Sequence, residues 1–288
     1  MNDNHFERQM LFFGKKGQSI LNNTHVCIVG VGGIGSHLVQ QLAYLGVGSF
    51  SLIDNDHLET TNLNRLIGAH HDTPINTPKV DIMEHLIQSI NPNIKINKIY
   101  NNLITKSGFQ AVKKSDFVFG CMDNDGGRLV LNELCLAYEI NYIDTATEII
   151  PKTLDYGGQV VSIIDGTRCL YCLDLISPDE ARRYLRNPFA LKDEEATYGV
   201  SKKRLEGSGP AVVTINGVIA SIAATEFLLH RTLKRNAKPF LKYNGKTGRL
   251  TLITDEPKDN CYCCKEIRGK REGANIEKKY ITGCTVRI

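Results

Sequence analysis

Six consecutive residues, Gly30-Val31-Gly32-Gly33-Ile34-Gly35, constrain this chain more than any others. They match G-x-G-x-x-G. Before them lies a short apolar run, His25 to Gly30. After them Ile34, Leu38, Leu42 and Leu45 recur at helical spacing and stop at Gly46. A strand, a glycine turn and a helix in that order make a cradle for phosphate. Glycines let the backbone approach an anion, and the helix N-terminus offers N–H donors and a positive dipole end. Asp54 closes the next predicted strand, Ser49 to Asp54, where an acid can bond a ribose hydroxyl. The competing reading is a glycine-rich turn with no ligand. The ordered succession of strand, turn, helix, strand and acid argues against it.

The alternation continues. Pro78 opens a helix whose Val80, Met83, Ile87 and Ile90 share one face, and Pro92 closes it. Ile94 to Tyr100 and Phe117 to Cys121 read as strands, a helix runs from about Gly127 to Tyr138, and Tyr142 to Asp144 begins a fifth strand. Strands alternating with helices imply an α/β fold, a Rossmann-like doubly wound and mostly parallel sheet. The second half is less regular. Gly158 to Ile164 reads as a strand and Val212 to Leu229 as a core helix. Ser177 to Ser208 is polar and without period, a long connection that could be a lid, a substrate-tail channel or a linker. With 288 residues, 42% hydrophobic and 23% charged, the chain can bury a core without disulfide staples. Its apolar stretches read as too short to cross a bilayer, and Met1 to Gln9 lacks an export signal, so a cytoplasmic protein without a membrane role is expected. A net charge of +4 is too weak to argue for nucleic acid.

The residues after the glycine loop argue against a dehydrogenase. Asn62 and Arg65 follow Asp54 closely, Lys79 starts the next helix, and Asp123-Asn124 follows the fourth strand. In a doubly wound sheet these all fall at C-terminal strand ends around one crevice. Hydride transfer needs no such positive charge, whereas a triphosphate does. Asp123 is placed to hold magnesium, which favours carboxylate and phosphate oxygens. The bland alternatives are a solvated Lys79, a surface ion-pair Arg65 and a helix-capping Asp123.

The chain resembles the MoeB/ThiF/HesA group, related to the ubiquitin-activating enzymes. Glu7-Arg8-Gln9, the glycine loop, Asp54 to Asp56, Asn62 to Arg65, Pro78-Lys79, Asn91-Pro92, Asp123-Asn124 and the cysteine pairs carry the likeness, to about Cys264. The resemblance implies ATP- and magnesium-dependent adenylation of the C-terminal carboxylate of a small ubiquitin-like or sulfur-carrier protein, or of a peptide. It implies that Gly30, Gly32, Gly33, Gly35, Asp54, Asp56 and Asn124 belong to the nucleotide site. Asn62, Arg65 and Lys79 would grip phosphates, and Asp123 would bind magnesium. Arg8 resembles the arginine that family homodimers insert into the partner's active site.

Nine cysteines in a chain without an export signal suggest thiols or metal ligands rather than disulfides. Cys169/Cys172 and Cys261/Cys264 form two Cys-x-x-Cys pairs suited to a closed tetrahedral zinc site, with Cys263 as an alternative ligand. That site would clip the late chain onto the sheet. Cys27, Cys121 and Cys135 read as buried, and Cys284 as an accessible tail thiol. The crossover, 173–208, holds no cysteine, which departs from the thioester-forming branch of the family. Residues 1–264 are therefore expected to form the adenylation domain and 265–288 a basic tail. Seven tail cations against three acids, a surplus of four, could attract an acidic carrier. The alternatives are a tailoring enzyme for ribosomal peptides, an NAD-dependent oxidoreductase and a non-catalytic nucleotide-binding scaffold.

Overall fold

The computed structural model describes residues 3–164, 166, 168–185, 210–254 and 256–282. Helix α1 is Glu7–Asn22, β1 His25–Val29, α2 Gly33–Tyr44 and β2 Ser49–Ile53. Helix α3 is Lys79–Ile90, β3 Lys95–Ile99, α4 Lys106–Lys113, β4 Phe117–Gly120 and α5 Asp125–Tyr138. Strands β5, Tyr142–Ile150, and β6, Asp155–Ile163, are followed by α6, Pro178–Leu185, and α7, Val213–Arg231. Strands β7, Phe240–Asn244, and β8, Arg249–Leu252, complete the sheet. The strand order is β3-β2-β1-β4-β5-β6-β7-β8. The first five strands are parallel and the last three antiparallel.

The expected doubly wound α/β fold is present. Two cores flank the sheet. One joins Phe50, Leu38 and Phe227 from β2, α2 and α7, and the other joins Val118, Leu134 and Phe109 from β4, α5 and α4. The central parallel strands β1, β2 and β4 are near-continuous apolar runs because helices cover both faces, whereas the edge strand β3 is largely exposed. Helix α2 stops where Gly46 turns left-handed, with φ of 82°.

Register sets the site. Gly30 N–H donates to the Ile53 carbonyl at 2.8 Å, Cys121 N–H to Val29 at 2.8 Å, and Asp54 N–H to Ile99 at 3.2 Å. The C-terminal ends of β1, β2, β3 and β4 therefore lie level. The chain runs outward from β1 to β3 and returns to β4 on the other side of β1, which opens a crevice at the reversal.

Several expectations are corrected. Residues 7–22, 106–113, 240–244 and 249–252 form elements that the sequence patterns missed. The polar crossover begins as α6, and the rest of the segment from 186 to 209 lies outside the described residues. Helix α7 is long and apolar enough to span a bilayer, contrary to the expectation that no stretch is. Its buried side packs instead against α2, β5 and β6. The stretch 265–281 is not a solvated arm. Ile267, Ile276 and Tyr280 are buried in the core on the α5 side of the sheet. Lys279 and the Tyr280 hydroxyl bond the buried Glu133 carboxylate of α5 at 2.9 and 2.8 Å. Lys113 of α4 meets Glu272 and Glu277, each at 3.3 Å. Part of the excess charge is thus spent inside the fold, and residues 283–288, with Cys284, lie outside the described residues.

Candidate functional site

The crevice is a cleft of about 1160 Å³. It is lined by Gly30, Gly32, Gly33, Asp54, Asp56, Asn62, Arg65, Lys79, Asp123 and Asn124. Gly35 sits one turn in, behind the loop. Arg8 lies apart, exposed on α1 and not part of the lining.

Three of the four glycines have packing reasons. A Cβ at Gly30 would stand 2.7 Å from the Cys121 carbonyl, and one at Gly35 would stand 2.1 Å from the Gly30 carbonyl. One at Gly33 would meet the Asn216 amide at 2.3 Å. At Gly32, the N-cap of α2, a Cβ would meet no heavy atom within 4 Å. The space above Gly32 is the cleft itself, where a side chain would displace a ligand. The helix N-terminus behind it favours an anion. The cradle therefore fits a nucleotide phosphate.

Asp54 does more than the sequence suggests. Its Oδ2 accepts the Val31 N–H at 2.7 Å and its Oδ1 the Asp56 N–H at 2.8 Å. The carboxylate thus ties the glycine loop to the end of β2, and each oxygen keeps a second lone pair. Burial raises its pKa above the usual aspartate value, against the lowering pull of Lys79 and of the two N–H donors.

The Lys79 ammonium pairs with Asp56 at 2.8 Å and is largely sheltered, unlike a solvated helix residue. The Arg65 guanidinium is held by the Thr61 carbonyl and the Asn64 side chain, which are both uncharged. The Asn62 carbonyl oxygen accepts the Glu59 N–H at 3.2 Å, which leaves its amide nitrogen as a donor. Asn124, not Asp123, caps α5, accepting the Gly127 N–H at 2.7 Å. Asp123 is thus released from capping and stands exposed at the end of β4.

Sequence reasoning missed the frame beneath these groups. Arg128 of α5 meets Asp144 of β5 at 2.7 Å and Asp125 at 2.9 Å, and donates to the Leu175 carbonyl at 3.0 Å. The Tyr142 hydroxyl donates to Asp144 at 2.7 Å, and the Ser177 N–H to Asp125 at 2.7 Å. Burial alone would lower the Arg128 pKa, but the Asp144 carboxylate outweighs it and holds the guanidinium charged. This network locks the start of α5 to β5 and to the strap before α6. Only the Asp125–Arg128 spacing was visible locally, and nothing local pairs Arg128 with Asp144. Asn216 of α7 packs on Gly33, and its carbonyl accepts from Thr147 at 3.3 Å.

The thiols gather on the other side of α5. The sulfurs of Cys169, Cys172, Cys261 and Cys264 all lie within 4.8 Å of one another, with Cys169 and Cys261 at 3.6 Å. Tetrahedral zinc with bonds of about 2.3 Å sets its sulfurs roughly 3.8 Å apart. Cys263 is buried nearby but stands outside the quartet. Hydrogen bonds from Cys172, Cys263 and Cys264 hold the Cys169 thiol well below its ordinary value, and the same contact pushes Cys172 up to about 12. Without a cation, these sulfurs cannot all ionise together. The donor set therefore fits zinc. Cys27 and Cys135 are buried, and Cys121 lines the cleft.

The SAMP-activating enzyme E1 of Haloferax volcanii is 28% identical over 166 residues, 58% of this chain and 59% of that protein. The molybdopterin-synthase adenylyltransferase of Escherichia coli is 32% identical over 181 residues, 61% of this chain and 70% of that protein. The crystal structure of E. coli MccB with MccA-N7isoASN shares the fold, with a TM-score of 0.72 at 19% identity over 92% of this chain and 75% of that one. The ThiF family model matches residues 6–265, and the chain belongs to the ThiF family.

Proposed function

We propose that this protein is an ATP-dependent adenylyltransferase. It activates the C-terminal carboxylate of a small ubiquitin-like or sulfur-carrier protein, or of a peptide. One observation carries the reading. The open cradle at Gly32, the acid Asp54, the cations Arg65 and Lys79 and the uncapped Asp123 share one cleft. Arg65 spends its charge on no acid in the ion pairs among the described residues, so a phosphate can claim it.

The reaction brings two anions together. A substrate carboxylate oxygen attacks the α-phosphorus, the bond to the β-phosphate oxygen breaks, and pyrophosphate leaves. No proton moves, because the carboxylate is already ionised near neutral pH. The chain's task is positioning and charge neutralisation. The α2 N-terminus and the Asn62 amide face phosphate oxygens. Arg65 neutralises the leaving pyrophosphate, as does Lys79 once it exchanges Asp56 for phosphate. Asp123 would hold magnesium, which supplies further charge neutralisation at the phosphates when bound. Cys169, Cys172, Cys261 and Cys264 would hold zinc in a structural role, because no ligand position stays open for chemistry.

A homodimer with Arg8 acting in trans belongs to this reading. Arg8, Leu11 and Phe12 stand three and four residues apart on α1, and Leu11 and Phe12 are 89% and 60% exposed. A cytoplasmic setting fits both ATP and zinc-binding thiols.

The test is carrier-dependent ATP–pyrophosphate exchange, with mass spectrometry of the carrier's C-terminus. The expected product is an adenylated carboxylate. Exchange that never depends on a carrier or peptide would overturn the reading. Mixing Arg8→Ala with Asp123→Ala subunits should restore partial activity, and no rescue would remove the action in trans.

A further inference from the structure

The cleft has two unlike walls. On the α2 side stand Arg65, the glycine loop and Asn216. On the α4/α5 side stand Asn101, Asn102, Leu103, Met122 and Tyr184. Arg128, a cation of that wall among the described residues, is already bound by Asp125, Asp144 and the Leu175 carbonyl. Phosphates belong to the first wall, and an uncharged group belongs to the second.

Tyr184 is the aromatic of the second wall, and it is anchored at two points. Its hydroxyl accepts from the Asn102 amide at 2.8 Å, across 82 residues of sequence. Its ring lies against Gly126 at the start of α5, where a Cβ would come within 2.3 Å of Cδ1 and 2.6 Å of Cγ. Gly126 thus leaves room for the root of the Tyr184 side chain, its Cβ, Cγ and Cδ1, against the helix. The residue remains 41% exposed although its side chain is held at both ends. A held, half-exposed phenol on the wall of a nucleotide cleft is a ready stacking surface.

Resting on the adenylyltransferase reading, we infer that Tyr184 is the base-stacking residue of the cleft, with the adenine of ATP lying on its free face. Helix α6, the first turns of the crossover, thereby contributes directly to nucleotide binding. Asn102 is a positioning residue that fixes the plane of the phenol.

The chain contains no tryptophan, so Tyr184→Trp installs a single fluorophore at this wall. Titration of the full-length variant with ATP should quench its emission saturably. Inorganic tripolyphosphate, which has no base, should leave the emission unchanged while displacing ATP. By calorimetry, Tyr184→Ala should weaken ATP about tenfold, in the range of base–aromatic stacking, without changing tripolyphosphate affinity. Tyr184→Phe should recover to within about threefold of the parent. An emission blind to ATP in a variant that binds ATP by calorimetry overturns the inference. So does equal weakening of ATP and tripolyphosphate in Tyr184→Ala. None of these readouts needs a carrier, so a failure of carrier adenylation leaves a distinct signature: ATP quenches the tryptophan but no exchange occurs.

Discussion

The nucleotide cleft and the cysteine cluster are built in opposite ways. The cleft draws on strand ends that the sheet's register already levels, so its residues recur through the first half of the chain as each strand finishes. The cluster joins residues 92 apart in sequence and lies in a buried core. The cleft is open, and Arg65 and Asp123 there make no ion pair among the described residues. The cluster is closed and its sulfurs face one another. The difference teaches where function and stability are expected to part. Changes in the cleft should alter activity with little effect on folding, and changes at the cluster should do the reverse.

The largest effect should come from the cluster. Structural zinc supplies roughly 10 kcal/mol or more to the folds it closes. Chelation, or Cys261→Ser, should release one zinc per chain and lower the Tm sharply, loosening 261–281 from α5 first. A metal-free protein with an unchanged Tm would erase the contrast between the two regions.

Arg128 tests the border between them. Arg128→Met strands the buried Asp144 carboxylate and should cost about 3–5 kcal/mol in urea unfolding. The double variant Arg128→Met/Asp144→Leu should recover most of that loss, because matched apolar groups replace a buried pair at little cost. Its exchange activity should stay low, since the start of α5 loses its tie to the Leu175 strap. Full activity in the double variant would show that the network is structural alone.

Asp123→Ala should separate the regions most cleanly. The residue is exposed and caps nothing, so unfolding should shift by no more than about 0.5 kcal/mol. Carrier-dependent exchange should fall about 10³-fold or more, as when a preorganised charge is removed from a reaction centre. Arg65→Ala should behave alike. Near-normal exchange in either would remove these residues from the chemistry.

The contrast also explains what could be read in advance. The parallel half was legible because β1, β2 and β4 are short apolar runs that end at or next to a glycine or an acid, and because Gly30 to Gly35 fixes the first crossover. The cysteine pairs were legible because ligand spacing is local even where the pairs are remote. Other elements gave no local signal. Helix α1 breaks its own period at Gly14, with φ of 78°, and exposes Leu11 and Phe12. Strand β8 is exposed throughout, so it lacks the alternation that marks a half-buried strand. In 265–281 the apolar anchors Ile267, Ile276 and Tyr280 are separated by charges whose partners, Glu133 and Lys113, lie over a hundred residues away. The roles assigned in the cleft were also too simple. Asn124 is a cap, and Asp54 spends both oxygens on backbone.

The smallest predicted effect returns to Asp54. Its folded pKa is raised, because burial outweighs Lys79 and two N–H donors. The sign follows by linkage: the folded state binds the proton more tightly than the unfolded chain does. That contribution to stability is fully present below the unfolded value, near 3.8, and is lost as pH rises through the folded value. Asp54→Asn removes the titration, so the stability of the parent relative to this variant should decline as pH rises across that window. ATP affinity should move the other way. The ionised carboxylate accepts from Val31 and Asp56, whereas a protonated one presents a donor to an N–H, so acidification should loosen the glycine loop and weaken ATP. Opposite slopes for Tm and for ATP affinity over the same pH range would mean that this acid is kept charged for the ligand at a cost to the fold. Parallel slopes would make Asp54 an ordinary structural carboxylate and place it with the cysteine cluster rather than the cleft.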